Sequence, residues 1–353
     1  MDYTSDNQFN NRPLDENFRV PSNFKPFQPA NLETDFVLQQ LVSNIPAWEA
    51  RRAEQNRIYN KHWWQSFLTF FIGGALAALS FLAHIAVGVV GVIVVIIATI
   101  LIGRKATAAW EAFATIARNQ IFTPLIESTL PDTKYTPNTH IPETEFDASG
   151  LYRDVNEFSG EDHIQSTIDN VIFAVSQVKA VSRTTTRDSK GSTQTSRTTI
   201  FSGLFFVVHL AKISTAQILV KPDVAERAFG GAIGKFFQKI STAFSDKSLV
   251  KFDEDPEFEK AFAVYSNQPN EAHRVLSEPF RGFLTQLANS QKNTVAISLN
   301  SDRVYLGFNN SIDFLPIKIN QPLTETVVRA YLEEWLSVLR ITQQLVHYLA
   351  PTP

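Results

Sequence analysis

Three neighbouring side chains, Glu161, Asp162 and His163, form the clearest group of titratable residues in the sequence. A carboxylate beside an imidazole can take up and release a proton, which is the work of a general base. The group follows Ser159 and Gly160, which favour a turn, so a hydrogen-bonded turn that leads into a strand is the competing interpretation. We adopt the turn, expect no metal there, and keep the three residues as catalytic candidates if the protein is an enzyme.

A second group of carboxylates lies in the run Asp253–Glu259. Carboxylate oxygens are the ligands of hard cations such as Ca²⁺ and Mg²⁺, so the run is a second candidate for chemistry. Acidic residues next to Pro256 are also typical of a helix N-terminus, where the helix dipole favours negative charge. We favour the helix start.

The glycine-rich stretch Gly230–Lys235 has part of the pattern of a phosphate-binding loop. That pattern needs a glycine at position 229 and a serine or threonine at position 236, and Phe229 and Phe236 occupy these positions. A helix weakened by glycines fits better. The chain also has no cysteine and no Gly-x-Ser-x-Gly sequence, and its seven histidines are scattered. We therefore expect no bound cofactor.

A basic, hydroxyl-rich segment runs from Ser182 to Arg197. Its positive charges could contact anionic lipid headgroups or an acidic partner. A solvated loop between two strands is the alternative, and we favour it. The four basic residues are Arg183, Arg187, Lys190 and Arg197.

The element that organises the chain is the stretch Trp63–Ile102, which contains no aspartate, glutamate, lysine or arginine. A bilayer core about 30 Å thick needs about 20 apolar residues as a helix, so this stretch predicts two spans. We place the helices at Trp63–Leu82 and Ile85–Ile102. His84, the one histidine of the stretch, then lies in the turn, where it meets water.

Charges on both sides of this transmembrane hairpin predict its orientation, because lysine and arginine near membrane ends stay in the cytoplasm. Both termini are therefore expected in the cytoplasm. Trp63, Trp64, Arg104 and Lys105 are expected at the membrane interface. The basic residues are Arg51, Arg52, Arg57 and Lys61 before the hairpin, and Arg104, Lys105 and Arg118 after it.

The rest of the chain predicts an α+β fold built on an antiparallel sheet. Val171–Val181, Thr198–Leu210 and Gln217–Val220 are predicted to form a meander. Thr294–Leu299 and Arg303–Phe308 should form a hairpin. The predicted regions are a disordered tail at 1–30, pre-membrane helices interrupted by Pro46 at 31–62, the membrane hairpin at 63–102, a stalk helix at 103–130, and an α+β cytoplasmic domain at 131–353 closed by a long helix, Pro322–Leu349.

Several blocks of sequence, taken in order, resemble one family. They are Asp147–Tyr152 with Ser159–Asp162, Phe201–Val207 with Ile218–Asp223, and Asp255–Glu259 with Phe262–Tyr265 and Leu276-Ser277. Together with the membrane hairpin, they resemble the bacterial membrane proteins catalogued as domain of unknown function 3137, over roughly Ile45 to Phe314. The chain departs from that pattern at Gln177, where a glutamate is expected. The resemblance implies a bacterial inner-membrane location and brings no activity.

The chain as a whole therefore predicts a membrane-anchored interaction or scaffold protein. Its partners would be the lipid bilayer and other membrane or cytoplasmic proteins. A net charge of −3 gives no signature of a nucleic-acid binder. The alternative is a membrane-bound enzyme that uses the group at Glu161 or the acidic run around Asp253.

Overall fold

The computed structural model of the protein describes residues 33–187, 193–222, 248–291, 294–311 and 313–350. The predicted tail at 1–30, Lys190 and Gly230–Lys235 lie outside these residues. The described chain divides into two compact units. The helical unit comprises Glu33–Leu125 and Pro316–Tyr331, and the sheet unit comprises Ile126–Leu315 and Leu332–Pro353.

Two long helical arms make up most of the helical unit. Pro46 lies inside the first helix, so the two helices expected on either side of it are one. The predicted stalk helix likewise continues the second arm without a break. The first arm consists of α1 (Glu33–Leu68), a π-helical segment (Thr69–Gly73) and α2 (Gly74–Ser80), and the second of α3 (Ile85–Ile116), a π-helical segment (Ala117–Phe122) and α4 (Thr123–Glu127).

The two arms run antiparallel and contact each other along their length. The indole Nε1 of Trp48 donates to Oε1 of Gln120 at 2.8 Å. Further along, the hydroxyl of Ser66 donates to the carbonyl of Thr99 at 3.1 Å. The helical extensions on either side of the apolar stretch therefore pair with each other.

The arms meet at a turn between Ser80 and Ile85, where the sequence predicted the break. His84 is the N-cap of α3, and its Nδ1 accepts the backbone N–H of Ala86 at 3.2 Å. Among the described residues, one continuous helix, Ile85–Glu127, has the length and composition needed to cross a membrane. Each arm includes one π-helical segment.

The sheet unit contains nine strands in its described part, all paired antiparallel in the order β1-β2-β3-β4-β9-β8-β5-β7-β6. The strands are β1 Lys134–Thr136, β2 Glu157–Ile168, β3 Val171–Arg187, β4 Thr193–His209, β5 Gln217–Pro222, β6 Ser248–Val250, β7 Phe262–Ser266, β8 Val295–Asn300 and β9 Arg303–Phe308. The remaining helices are α5 Glu143–Ala148, α6 Pro256–Ala261, α7 Pro269–Val275, α8 Glu278–Ser290 and α9 Glu325–Leu349.

The predicted pairing of β3 with β4 and the predicted β8–β9 hairpin are confirmed. The predicted meander is wrong, because β4 pairs next with β9, and β5 pairs with β8 and β7. The segment after β4 explains the difference. The N–H groups of Leu210 and Ile213 donate to the carbonyls of Asp302 and Ser301, both at 2.8 Å. These bonds tie the chain to the β8–β9 turn instead of folding it back on β4.

Both faces of the central strands are buried: Phe205 and Phe206 are adjacent on β4, point to opposite faces, and are both fully buried. Phe205 belongs to an aromatic cluster with Phe146 of α5 on one face. On the other face, the ring of Phe173 stacks on Trp335 of α9, with centroids 6.4 Å apart. The helix α9 begins at Glu325 rather than at Pro322, and the hydroxyl of Thr324 accepts the N–H of Val327 at 3.4 Å.

Candidate functional site

The group Glu161, Asp162 and His163 lies inside a strand, so the prediction of a turn before the first strand is wrong. The register of β2 against β3 shifts between Glu161 and Ile164, which is a β-bulge with one extra residue. Asp162 has a φ of 58° there, a backbone conformation that aspartate tolerates better than most residues. The bulge breaks the alternation of apolar and polar residues, which is why the sequence pattern hid this strand.

Asp162 is buried, with 4% of its surface exposed. Its carboxylate accepts the phenolic hydrogen of Tyr135 on β1, and its backbone N–H donates to the carbonyl of Pro137 at 2.9 Å. These bonds fasten the edge strand β1 and the chain after it to the bulge. The arrangement gives this carboxylate a structural role.

His163 contacts a serine, Ser176, that no sequence motif marks. Its Nδ1 lies 3.1 Å from the hydroxyl of Ser176, which also accepts the N–H of Ile141 at 3.0 Å. Burial, and then the charge of His140, lower the pKa of His163, so the ring stays neutral. A serine beside a histidine has the residue types of a nucleophile and its base, but Ser176 is fully buried and out of reach of a substrate.

Glu161 lies opposite Gln177 in the β2–β3 ladder. Among the described residues, no group of three or more His, Asp and Glu side chains is arranged to hold a metal ion. The structure therefore brings Asp162 and His163 into separate structural networks, and it assembles no acid–base pair from the three candidates.

The acidic run around Asp255 is a helix start, as predicted. The Asp255 carboxylate is the N-cap of α6 and accepts the N–H of Phe258 at 3.2 Å. The guanidinium of Arg281, which is 5% exposed, donates from Nε to the same carboxylate at 2.9 Å and lies 3.3 Å from Glu254. The carboxylate of Glu259 accepts the N–H of Phe252 at 2.7 Å. The run caps a helix and holds a buried arginine.

A polar cleft of about 340 Å³ lies between α5 and the β8–β9 turn, and nothing in the sequence pointed to it. The hydroxyl of Tyr305 donates to the Glu145 carboxylate at 3.1 Å, and Arg303 lies 3.5 Å from the same carboxylate. Burial, and then the charge of Glu145, raise the pKa of Tyr305, which therefore stays protonated as a donor. These bonds tie α5 to the hairpin. The residues are too far apart in sequence to form a motif.

The membrane-interface candidates lie on the surface of the helical unit. Trp63 and Trp64 are 41% and 56% exposed, and Arg104 and Lys105 are exposed on α3. Of the large hydrophobic side chains that are exposed in the described residues, all except Phe36, Ile172 and Leu249 lie between Trp63 and Leu101. The unit therefore presents a continuous apolar surface over both arms.

Small residues fill the contact between the arms. A Cβ atom built on Gly91 would lie 3.3 Å from the Cβ of Ala77, which is 5% exposed. A Cβ on Gly88 would overlap the ring of Phe81. At Gly91 and Ala77 the two arms thus meet through small residues, as membrane helix pairs commonly do.

The basic segment is a continuation of two strands, so the prediction of a loop from Ser182 to Arg197 is wrong. The pairing of β3 with β4 extends to Arg187 and Thr193. Arg183 and Arg197 face each other and share the carboxylate of Glu157, at 3.7 and 3.0 Å. Arg187 is exposed at the end of the described part of β3. A hydroxyl-rich sequence suggests a loop, but threonine is a good strand former.

Residues 199–347 match the family described as Protein of unknown function (DUF3137). The resemblance to domain of unknown function 3137 is thereby confirmed over that part of the chain. Among solved structures, the chain is similar to the crystal structure of the mycobacterial trehalose monomycolate transport factor A, TtfA, with 10% identity and a TM-score of 0.31 over 63% of this chain and 90% of that chain. The search of curated proteins found no significant match.

Proposed function

We propose that the protein is a membrane-anchored interaction or scaffold protein. The apolar surface between Trp63 and Leu101 carries this proposal. Soluble proteins rarely expose a contiguous apolar patch of more than a few hundred Å², because water penalises it. Lipid tails accept such a surface at no cost, and in lipid the helix is one of the few structures whose backbone satisfies its own hydrogen bonds.

The finer proposal is a two-span hairpin, with Trp63–Leu82 and Ile85–Ile102 as the spans. The length of each stretch is close to that required to cross a bilayer core, which is about 20 residues. Both termini would lie in the cytoplasm of a bacterium and the turn at His84 outside the inner membrane, because lysine and arginine occur before and after the hairpin and are absent from the turn.

The sheet unit supports a role in binding rather than catalysis. Its candidate groups at Asp162, His163 and Asp255 are engaged in buried or capping hydrogen bonds that hold strands and helices together. A membrane-bound enzyme would need reacting groups that converge on a space a substrate can enter. The scaffold function is therefore the better supported of the two functions considered.

Single cysteines test the topology without background, because the chain contains no cysteine. Leu82→Cys, at a turn residue that is 85% exposed, should react with a membrane-impermeant maleimide in spheroplasts. Asn60→Cys and Thr107→Cys, on the exposed surfaces of α1 and α3, should react only after lysis. Labelling of Asn60→Cys and Thr107→Cys from opposite sides would mean one span. Labelling of all three in a soluble fraction would refute the membrane anchor.

A further inference from the structure

The end of the β3–β4 hairpin is a two-stranded ribbon, which we define as Ser182–Arg187 paired with Thr193–Thr198. Most of its side chains are exposed, and none is large and apolar. No packed core therefore holds it, although an isolated two-stranded hairpin is at best marginally stable in water. A ribbon of this kind invites the question of what its surface is for.

Two asparagines mark where the sheet narrows to the ribbon. On the β3 side, the Asn156 side chain accepts the N–H of Arg183 at 2.7 Å and donates to its carbonyl at 2.9 Å. On the β4 side, Asn309 accepts the N–H of Ser202 at 2.9 Å and donates to the carbonyl of Ile200 at 3.2 Å. Each side-chain amide thus takes the place of a neighbouring strand, Asn156 at one residue and Asn309 at two. Past these two amides, no described strand runs along either edge of the ribbon.

The bonds of Asn156 also fix which backbone groups face outward. Because Arg183 directs its N–H and carbonyl away from β4, the pair Arg183 and Arg197 is a non-hydrogen-bonded pair of the antiparallel ladder. Such pairs alternate with hydrogen-bonded ones, so Thr195 and Thr193 also direct their backbone groups outward. The β4 edge therefore offers three consecutive outward residues, whereas on the β3 edge the first, Arg183, is already occupied by Asn156.

The two faces of the ribbon differ in charge. Residues directly opposite each other share a face, and so do residues two apart on one strand. One face carries all three arginines with a single carboxylate, Glu157, between two of them. The other face is uncharged. The basic face consists of Arg183, Thr185, Arg187, Thr193, Thr195 and Arg197, and the uncharged face of Ser182, Thr184, Thr186, Gln194, Ser196 and Thr198.

We propose that the ribbon is a docking edge for an extended acidic segment of a partner protein. The segment would pair with β4 along Thr193–Arg197 and place a carboxylate at every second residue on the arginine face. This inference rests on the proposed interaction function and names its site. A second copy of the chain is a poorer partner, because it would bring arginines to arginines. A lipid headgroup could meet the charges but has no backbone to pair with the edge.

Binding can be measured with the full chain in nanodiscs of neutral lipid and a labelled synthetic peptide of about ten residues that alternates threonine and glutamate. Thr195→Pro removes an outward N–H without breaking a β3–β4 bond, because proline is tolerated where the N–H faces solvent. We expect it to weaken peptide binding by about tenfold or more, since a backbone bond is lost and the edge is blocked. Thr185→Pro, the matched change on the opposite edge, should leave binding unchanged.

Charge is tested separately. Arg197→Gln should weaken binding by about tenfold and reduce its dependence on salt. A peptide of the same composition with its glutamates grouped at one end should bind less tightly than the alternating one. Equal effects of the two proline variants, or equal binding of the two peptides, would overturn the edge proposal. Binding only to vesicles of anionic lipid, insensitive to Thr195→Pro, would replace it with a lipid contact. Neither result touches the membrane anchor, which the cysteine labelling decides.

Discussion

In the helical hairpin between Trp63 and Leu101, most large side chains are exposed and the buried residues are Ala77 and Gly88, whereas in the sheet unit the large aromatic rings are buried. Phe71 is 57% exposed, while Phe205 and Trp335 are fully buried. One part of the chain thus exposes its large apolar side chains, and the other buries them. This difference shows that the exposed fraction of an apolar side chain does not by itself tell whether the side chain is well placed. Whether burial stabilises that side chain depends on whether water or an apolar medium surrounds the protein.

The sharpest contrast is between two large aromatic side chains. Trp335 donates from Nε1 to the hydroxyl of Thr129 at 2.6 Å and stacks on Phe173. Trp335→Ala should lower the free energy of unfolding by about 3–5 kcal/mol, because it leaves a cavity. Phe71→Ala should change the free energy of unfolding in detergent by less than about 0.5 kcal/mol, because the exposed ring contacts detergent rather than protein. Denaturant titration followed by circular dichroism measures both. A comparable loss for Phe71→Ala would mean that protein covers this ring.

In the sheet unit, the buried Asp162 carboxylate has a hydrogen-bond partner, and removing that carboxylate tests what the bond contributes to stability. Asp162→Ala removes the acceptor of the Tyr135 hydroxyl and puts alanine at a φ of 58°. We expect a loss of about 2–4 kcal/mol, from a buried donor without a partner and from a left-handed backbone. Asp162→Asn keeps the shape, an acceptor and a residue type that tolerates this φ, so it should lose less than half as much. Equal losses from the two variants would show that charge, not shape, matters.

In the helical hairpin, by contrast, the position of Gly88 leaves no room for a side chain. A Cβ on Gly88 meets the ring of Phe81, whereas a Cβ on Gly74 meets nothing within 4 Å. Gly88→Leu should therefore cost about 1–3 kcal/mol through overpacking, and Gly74→Leu should cost little. Thermal unfolding in detergent compares the two variants. Matching losses would mean that Gly74 also faces a helix.

Features that depend on nearby residues were predictable from the sequence. The turn at His84, the β8–β9 hairpin and the helix start at Asp255 all follow from residues close together in the chain. The strand order was not predictable, because β9 reaches β4 only through bonds such as that from Leu210 to Asp302, far apart in sequence. The candidate site failed for a related reason. Ser176 and Tyr135 determine what Asp162 and His163 do, and neither is next to them in the chain.

The smallest expected effect is on the pH dependence of the stability of the sheet unit, through the ring of His163. Burial, and then the charge of His140, lower the pKa of His163 in the folded state, so the ring is held neutral beside Ser176. In the unfolded chain a histidine takes up a proton near pH 6.5. The unfolded state therefore binds more protons as the pH falls below about 6.5, and the stability that the neutral ring contributes is lost in that direction.

His163→Gln removes this titration and keeps a side chain that can hydrogen-bond to Ser176. The fall in melting temperature from about pH 7 to about pH 5 should be smaller in the variant than in the original chain, with the curves closest at the higher pH. NMR titration of the ring should give a midpoint below about 6.5. Parallel melting curves, or a midpoint above that value, would mean that the charged ring is as well accommodated in the folded strand as in water.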